Sequence, residues 1–387
     1  MAKAKKKVEL KDSLADSLVE AVNTKVGNTP FKIASYLDDP EMASDVTDWV
    51  SSGCDTLDLA ISNRPYGGFP VGRITEITGL EASGKSLLAA QAIASTQKKG
   101  GIGVFIDTES AVSREFFHAL GVDESQMIYI NLESIEDAFQ AIETIVGKVR
   151  SGKDERLVTI VLDSIMGAST KIEMEAEYDK DGYATAKAII ISKAMRKLTN
   201  LIARQKVCLI LTNQLRTKMG VSFGDPYTTS GGKAVGFHSS VRLRLKMVGQ
   251  ISVTSGGVKQ VLGSTTRCQI VKNRLGPPLR VVDYDIYYAS GVDNPGAWLK
   301  LMKTYKLVTT SGAWYTYTPL DVETGEVLGE AIKFQSKDFA DILENEPKLK
   351  KVIYDQLCDV YIMKYTANKE FGIDDITIED DFVQEDN

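Results

Sequence analysis

Residues 72–95 read GRITEITGLEASGKSLLAAQAIAS, and this stretch decides the fold. The alternating run at residues 73–78 predicts a strand, and the alanine- and leucine-rich run that follows predicts a helix. Between them lies a loop that begins at Gly79 and has a second glycine, Gly84, before Lys85 and Ser86. Glycine lets the backbone curve around a phosphate, so that consecutive N–H groups and the helix N-terminus point at one anion. A chance match in a glycine-rich loop is the alternative, and the flanking strand and helix argue against it.

The loop as a whole is expected to hold the phosphates of a nucleoside triphosphate. Lys85 is placed to reach the terminal phosphates, and the Ser86 hydroxyl is a candidate ligand of Mg²⁺. The predicted phosphate-binding residues are Gly79, Leu80, Glu81, Ala82, Ser83, Gly84, Lys85 and Ser86.

Length and composition are those of a soluble globular protein of two or three units. The chain has 387 residues, 43% hydrophobic and 25% charged, and no apolar run approaches the roughly 18 residues of a membrane span. The lysine-rich start has no apolar segment of the secretory kind behind it, so a cytoplasmic location is expected. Four widely spaced cysteines predict reduced core thiols. With two histidines in the chain, a metal other than Mg²⁺ is not expected.

Charge is unevenly distributed along the chain, although the net charge is only −6. Residues 204–246 contain eight basic side chains against one acid, whereas the last seventeen residues contain seven acids and no base. A basic middle and an acidic tail can compete for one surface.

The first segment is predicted to form an amphipathic helix. Residues 8–24 place Leu10, Leu14, Leu18 and Val22 four apart, on one side of a helix. Such a stripe has to pack on something, either its own domain or a neighbouring subunit. Residues 1–46 are therefore interpreted as a helix, with either packing open to it, and a linker.

Residues 47–290 show strands alternating with helices, which predicts an α/β core with a mainly parallel sheet covered on both faces. Strands are expected at residues 72–78, 103–107, 127–131, 157–163 and 207–212. Runs at 240–247, 265–272 and 280–287 predict an antiparallel extension of this sheet. Residues 291–368 are expected to form a small α/β domain with an aromatic hairpin at 314–317, and residues 369–387 an acidic tail.

Two of the predicted strands end in carboxylates. In a parallel sheet, ligands bind beyond the carboxyl ends of the strands. Glu109, in FIDTES, is placed to orient a water for attack on a γ-phosphate, and Asp163, in TIVLDS, matches the acid that holds Mg²⁺ through its water shell. The alternatives are a solvated strand end for Glu109 and a helix cap for Asp163.

A fourth strand end carries Gln214 and runs into an eighteen-residue segment without periodicity, 215–232. Gln214 is a candidate sensor of the γ-phosphate, and the segment suits a flexible clamp on a sugar-phosphate backbone. A solvent-exposed surface loop is the alternative. The candidate DNA-binding residues are Arg216, Lys218, Phe223, Thr228, Thr229, Gly231, Gly232 and Lys233.

Two cations, Lys272 and Arg274, stand at a strand end far along the chain from the other candidates. They are interpreted either as surface charge or as cationic fingers on a phosphate. A second candidate loop, residues 173–184, is too acidic to bind phosphate through charge and has no firm assignment.

Taken in order, GLEASGKS, FIDTES, TIVLDS, LTNQLRTKMGVSFGDPYTTSGGKA and VKNRLG resemble the RecA family of homologous-recombination proteins. The resemblance runs from about residue 49 to residue 364. The segment AWYTYTPLDVETGEV, residues 313–327, is more similar to the UvsX-type recombinases of tailed phages.

The resemblance implies a role for each matched position. It implies ATP and Mg²⁺ at Lys85, Ser86 and Asp163, catalysis by Glu109, and adenine stacking by Phe116. It implies that Gln214 joins nucleotide state to the second DNA-binding loop, with the first loop at 173–184. Lys272 and Arg274 would enter the ATP site of a neighbouring subunit. Phe237 falls at an interface position of the same kind, and the N-terminal helix would pack on the next subunit.

The resemblance also implies partners and an activity. The partners are single- and double-stranded DNA, further copies of the chain in a filament or ring, and loader or single-strand-binding proteins. The activity is a DNA-dependent ATPase that pairs homologous strands. A hexameric helicase-type motor and a nucleotide-gated structural filament are the alternatives. Three positions depart from the family pattern, with Ser86 for threonine, Gly236 for lysine and Arg274 for lysine.

Overall fold

The computed structural model describes residues 13–26, 34–36, 45–149, 155–176, 183–217, 227–229 and 233–365. The chain divides into two compact units, residues 1–45 and 46–387. In the first unit, helix α1 spans Ser13–Lys25 and exposes Leu14, Leu18 and Val22 as the predicted stripe. The chain then folds back on the helix, since the Tyr36 hydroxyl donates to Asp16 at 2.9 Å. Leu10 lies outside the described residues.

The second unit is built on one large mixed sheet, as the sequence predicts. The strands of this sheet are β3 (Ile74–Gly79), β4 (Ile102–Asp107), β5 (Met127–Asn131), β6 (Val158–Asp163), β7 (Val207–Thr217), β8 (Tyr227–Thr229, paired with β7), β9 (Val241–Ser255), β10 (Val258–Asn273), β11 (Val281–Tyr287) and β12 (Gly291–Val292). Within the described residues, six strands run parallel in the order β9, β3, β7, β6, β4, β5, and β10, β11 and β12 continue the sheet antiparallel beyond β9. A separate two-stranded ribbon pairs β1 (Trp49–Val50) with β2 (Phe69–Pro70).

Helices cover both faces of the sheet because successive strand residues point to opposite faces. Along β4, Phe105 belongs to the apolar cluster under α2 and α3, whereas Val104 and Ile106 belong to the cluster under α5 and α7. The helices of this unit are α2 (Asp55–Ser62), α3 (Lys85–Lys98), α4 (Arg114–Ala119), α5 (Ile135–Val149), α6 (Lys171–Glu175), α7 (Tyr183–Gln205), α8 (Ala234–His238), α9 (Asn294–Thr304), α10 (Phe339–Asn345) and α11 (Pro347–Tyr361).

The β9–β10 hairpin is much longer than the sequence analysis predicted. The expected strands ended at residue 247 and began again at 265, whereas the structure continues β9 to Ser255 and begins β10 at Val258. The turn between them contains Gly256 and Gly257, with φ of +59° and +80°. Two consecutive positive φ angles are those of a tight hairpin turn, which glycine adopts without strain. The Ser-Gly-Gly signal was therefore visible in the sequence.

The C-terminal part has its own small antiparallel sheet, β13 (Val308–Ser311), β14 (Trp314–Tyr317) and β15 (Ile332–Gln335), which includes the predicted aromatic hairpin. Its apolar cluster includes Leu59 of α2, and Trp298 donates its indole N–H to Asp55 at 2.9 Å. The boundary at residue 290 stays a prediction, and the acidic tail lies outside the described residues.

Two expectations from composition have structural counterparts. Within the described ranges, no helix has the length and apolar character needed to cross a membrane. The four cysteines are buried free thiols, and burial raises the pKa of Cys54 and Cys208 to about 12, so they stay protonated in the core.

Candidate nucleotide and DNA site

The phosphate-loop conformation depends on its glycines. Gly79 ends β3 so close to the loop that a Cβ atom there would lie 2.3 Å from the Ser83 hydroxyl oxygen and 2.8 Å from the Leu245 carbonyl. Gly84 has φ of +90° and directly precedes α3. A side chain at either position would be strained or would clash. The first-turn N–H groups of α3, from Lys85 onward, consequently open into this loop, the arrangement that binds anions.

Lys85 is influenced electrostatically by three carboxylates. Its ammonium donates to the Leu80 carbonyl at 2.7 Å, within the loop. Burial lowers its pKa, and the charges of Asp163, Glu109 and Glu81 act in the opposite direction. The lysine therefore lies within electrostatic reach of Glu109, the predicted catalytic acid, and of Asp163, the acid predicted to hold Mg²⁺.

Asp163 ends β6 as a buried carboxylate, 8% exposed. The Thr212 hydroxyl donates to its Oδ1 at 2.5 Å. Burial raises the pKa of Asp163, while hydrogen bonds from Ser86 and Thr212 lower it. The Ser86 hydroxyl and the Asp163 carboxylate thus form an adjacent pair of oxygens. Oxygen ligands of this kind suit Mg²⁺, so the residues present fit the ion that the sequence predicts.

Glu109 lies on the turn after β4, beside the end of β6. Asp107, the last residue of β4, pairs with Asp163 on β6. Glu109 is two residues further along the chain and therefore lies near the buried acid. The Ser164 hydroxyl donates to Glu109 Oε1 at 2.5 Å. The Glu109 side chain is exposed, and it lies against Gly167, where an added Cβ would be 2.4 Å from Glu109 Cγ.

Gln214 faces the phosphate loop. It pairs with Gly79 in the β3–β7 register, which puts it level with the start of the loop. A pocket of about 310 Å³ is lined by Leu80, Glu81, Gln214 and Leu215. The side chain predicted to sense the nucleotide therefore lines the same cavity as two residues of the loop.

The segment after Gln214 begins and returns as a paired strand. The sequence analysis treated 215–232 as one irregular loop, and this was wrong at both ends, because β7 continues to Thr217 and Tyr227–Thr229 forms β8. Leu215 pairs with Thr229. Tyrosine and threonine make up β8, threonine ends β7, and both residue types favour strands. Backbone pairing satisfies the polar groups of both segments. Lys218, Phe223, Gly231 and Gly232 lie outside the described residues.

The other predicted DNA contacts flank this hairpin. Arg216 is exposed on β7, Thr228 and Thr229 belong to β8, and Lys233 is exposed at the start of α8.

The other predicted loop, residues 173–184, is partly helical. Residues 173–175 belong to α6, whose N-terminus is capped by reciprocal hydrogen bonds between Thr170 and Glu173. Residues 177–182 lie outside the described ranges.

Comparison with known proteins identifies the family. The model of the RecA N-terminal domain matches residues 19–293. Proteins named RecA are similar over most of the chain, with 35% identity over 83% of this chain and 85% of its relative from Borreliella afzelii. The relative from Heliobacterium modesticaldum is 36% identical over 78% of this chain and 80% of its own length. The relative from Agrobacterium fabrum is 37% identical over 76% of this chain and 77% of its own length.

The chain belongs to the RecA family. It is accordingly an ATP-dependent homologous recombinase and a DNA-dependent ATPase, and neither the helicase-type motor nor the structural filament is favoured. The three relatives named above are bacterial proteins, so they show the family and not the phage-type subclass.

In this RecA-family structure, Lys272 and Arg274 do not join the phosphate loop of their own chain. Lys272 pairs with Arg242, which in turn pairs with Glu76, three residues before Gly79. At about 3.3 Å per residue, Lys272 lies roughly 10 Å back along the sheet from the loop. Its ammonium donates to the Gly236 and Phe237 carbonyls at 2.8 and 2.9 Å.

The surroundings of Lys272 explain the glycine that departs from the RecA pattern. A Cβ at Gly236 would lie 2.9 Å from the Arg242 guanidinium carbon. That guanidinium donates to the fully buried Glu76 carboxylate at 2.5 Å, so it has little freedom to move away. The next residue, Phe237, is 67% exposed. Gly236 is therefore matched to the buried ion pair beneath it.

The charge of Lys272 is predicted to depend on pH within the working range. Burial first, then Arg274 and Arg242, lowers its pKa to about 8. A lysine loses its positive charge as pH rises through its pKa, so if this charge assists ATP turnover, kcat/KM for ATP should decrease as pH rises from 7 to 9. Lys272→Arg retains the charge and should flatten the profile. Identical pH profiles for the two proteins would show that the Lys272 charge does not assist turnover.

Phe116 lies half-buried on α4, shortly after the Glu109 turn. Its ring makes an edge contact with Phe117, with centroids 5.7 Å apart. The helix is capped by Ser113, whose hydroxyl accepts the Phe116 N–H. The predicted adenine-stacking residue therefore lies on the first helix after the carboxyl end of β4.

The sequence analysis missed polar residues that hold the acids in place. Ser164, directly after β6, contacts Glu109, and Thr212, within β7, contacts Asp163. Their position beyond apolar runs was the available signal. Gly167 carried no comparable signal, because its role follows from a close approach between two loops.

Proposed function

We propose that the carboxyl edge of β3, β4, β6 and β7 is the ATP-hydrolysing site of this recombinase. The observation that carries the proposal is the strand register, in which Gly79 pairs with Gln214 and Asp107 pairs with Asp163. These pairings bring the phosphate loop, both acids and the glutamine to one edge of the sheet, where α/β proteins bind their ligands.

Within this site, each side chain has a distinct task. Lys85 neutralises the terminal phosphates, and the first-turn N–H groups of α3 donate to them. Ser86 would hold Mg²⁺ directly and Asp163 would hold it through water, and the ion would neutralise phosphate charge. Glu109 orients the attacking water. The Glu109 carboxylate is itself held by a hydrogen bond from the Ser164 hydroxyl. Phe116 supplies an aromatic surface for the adenine.

Gln214 is proposed to couple the nucleotide to DNA. It lines the pocket beside the phosphate loop, and the same strand continues without a break into the β7–β8 hairpin. A shift of Gln214 toward a γ-phosphate would therefore act on Arg216 and the hairpin directly. Charged and hydroxyl side chains of the hairpin suit a sugar-phosphate backbone, with affinity that falls as salt rises.

The site is proposed to be completed by a second copy of the chain. Lys272 and Arg274 both donate to the Phe237 carbonyl, so the two cations and the exposed ring form one projecting group distant in register from their own phosphate loop. Inserted into a neighbour, they would meet its ATP, and the apolar stripe of α1 would pack on the same neighbour. ATP would then stabilise a filament on single-stranded DNA.

We further propose the phage-type subclass of the family. Residues 313–327, AWYTYTPLDVETGEV, support it. They include β14, where Trp314 is 42% exposed and the Lys333 ammonium lies over the Trp314 ring.

Duplex DNA, a loader and a single-strand-binding protein are the further partners of such a recombinase. The acidic tail is proposed to limit duplex entry.

One combined experiment tests the proposed function. ATP hydrolysis is measured with and without single-stranded DNA, and strand exchange is measured on the same preparation. We expect DNA to stimulate hydrolysis and exchange to require ATP. Stimulation accompanied by duplex unwinding without exchange would instead identify a helicase-type motor, and DNA-independent hydrolysis would argue against the coupling through Gln214.

A further inference from the structure

The backbone of the Glu109 turn is held by a buried carboxylate. Asp107, 1% exposed, accepts the N–H groups of Glu109 and Ser110 on its Oδ1, each at 2.9 Å. Ser110 has φ of +53°, a left-handed conformation that side chains other than glycine rarely adopt. The two hydrogen bonds to Asp107 therefore stabilise a turn that would otherwise relax.

The second oxygen of this carboxylate is bound by a tyrosine from the next strand. Tyr129 lies on β5, the edge strand, two residues before the position that pairs with Asp107. Its hydroxyl donates to Asp107 Oδ2 at 2.8 Å. From the paired position, Asn131 donates to the Ser110 hydroxyl at 2.7 Å. The edge strand thus contacts the turn at two points.

Tyr129 remains a hydrogen-bond donor through the working pH range. Burial and then the bond to Asp107 raise its pKa, so the phenol keeps its proton. Removing this proton donor would leave a buried carboxylate oxygen without its partner, and a buried charged group in that state is strongly destabilised. Asp107 would then turn toward other donors and release its hold on the N–H groups of Glu109 and Ser110.

The carboxylate of Glu109 is held separately, by Ser164 and by close packing against Gly167. The tyrosine acts on the backbone of the turn and Ser164 acts on the side chain, so neither contact replaces the other. Holding a catalytic group this way matters because a displacement of about 1 Å can lower a rate by about a hundredfold.

We propose that Tyr129 is a positioning residue for Glu109 and acts through Asp107. The inference rests on the proposed role of Glu109 as the residue that orients water. It assigns to the exposed edge strand a function in turnover, although Tyr129 itself makes no contact with the reacting atoms in this scheme.

The test is Tyr129→Phe, which keeps the ring and removes the donor. We expect kcat for DNA-stimulated ATP hydrolysis to fall about tenfold, because the glutamate is displaced by a fraction of an ångström. KM for ATP and ATP-dependent assembly on single-stranded DNA should stay within about twofold, since neither Lys85 nor the loop is altered. Tyr288→Phe, at a 59% exposed tyrosine, is the matched control and should retain full kcat.

A second background separates positioning from an independent structural effect. In a Glu109→Gln protein, Tyr129→Phe should cause no further loss of kcat, because the group that it positions no longer assists the reaction. An equal loss in both backgrounds would overturn the inference, as would full kcat in the single Tyr129→Phe variant. Full turnover by Glu109→Gln alone would instead overturn the proposed role of Glu109, and this inference with it.

Discussion

Lys85→Ala should abolish ATP turnover, with kcat lowered by at least about a hundredfold, the loss typical of removing one charged or hydrogen-bonding group that stabilises a transition state. The lysine begins α3, and the carboxylates of Asp163, Glu109 and Glu81 act on it electrostatically. Without its charge, the phosphates would face these acids directly. Repulsion would then weaken ATP binding as well as slow hydrolysis.

The fold itself should tolerate Lys85→Ala. Burial disfavours the charged form of Lys85, so its removal also removes a desolvation cost that offsets the lost bond to the Leu80 carbonyl. The melting temperature without nucleotide should therefore change little. ATP should no longer stabilise the variant. In a protein with a functional site, ATP at 100 times its Kd adds about 2.7 kcal/mol to the free energy of unfolding.

Lys98→Ala is the matched control, because Lys98 is exposed at the other end of the same helix. It should retain both turnover and stabilisation by ATP. Turnover at the original rate in Lys85→Ala, or equal losses in the two variants, would contradict the assignment of the phosphate site.

Glu109→Gln should slow hydrolysis by about a hundredfold or more while leaving ATP binding intact, because a positioned acid or base contributes about 10²–10⁴-fold. The amide oxygen of glutamine can still accept the Ser164 hydroxyl, so the geometry of the turn is retained. The variant should form ATP-dependent filaments on single-stranded DNA that persist. The measurements are single-turnover hydrolysis and the lifetime of the filament after dilution.

Glu124→Gln provides the same chemical change at an exposed position before β5 and should retain normal turnover. Loss of DNA binding in Glu109→Gln, rather than slow hydrolysis, would indicate a structural role for the glutamate. Normal hydrolysis would remove Glu109 from the catalytic site.

Several elements could be predicted from sequence because their causes are local. The strand at β3, the glycine loop and α3 follow from alternation, from glycine and from helix propensity within a single segment. The acids Glu109 and Asp163 were found by a further rule, that polar residues at the ends of buried strands meet at one edge. Helix α2 was not predicted. It has only eight residues, and Thr56–Ser62 are all buried, so no alternation of buried and exposed positions marks it as a helix.

The errors at β7–β8 and β9–β10 have a different origin. In both places the chain continues as a hairpin beyond the apolar core, where alternating side chains are half exposed and backbone pairing supplies much of the stabilisation. A search for apolar runs stops at the edge of the core. Turn residues such as Gly256 and Gly257 mark the hairpin tip more reliably than hydrophobicity does.

The sequence by itself determined the family and the fold class and predicted the chemical type of the site, because the phosphate loop and each acid lie in short segments with recognisable patterns. Only the tertiary structure decided which residues hold these groups in place. Ser164 on Glu109, Thr212 on Asp163 and Tyr129 on Asp107 join different strands. Those contacts depend on strand order and register, and these arise from packing between segments that are distant in the sequence.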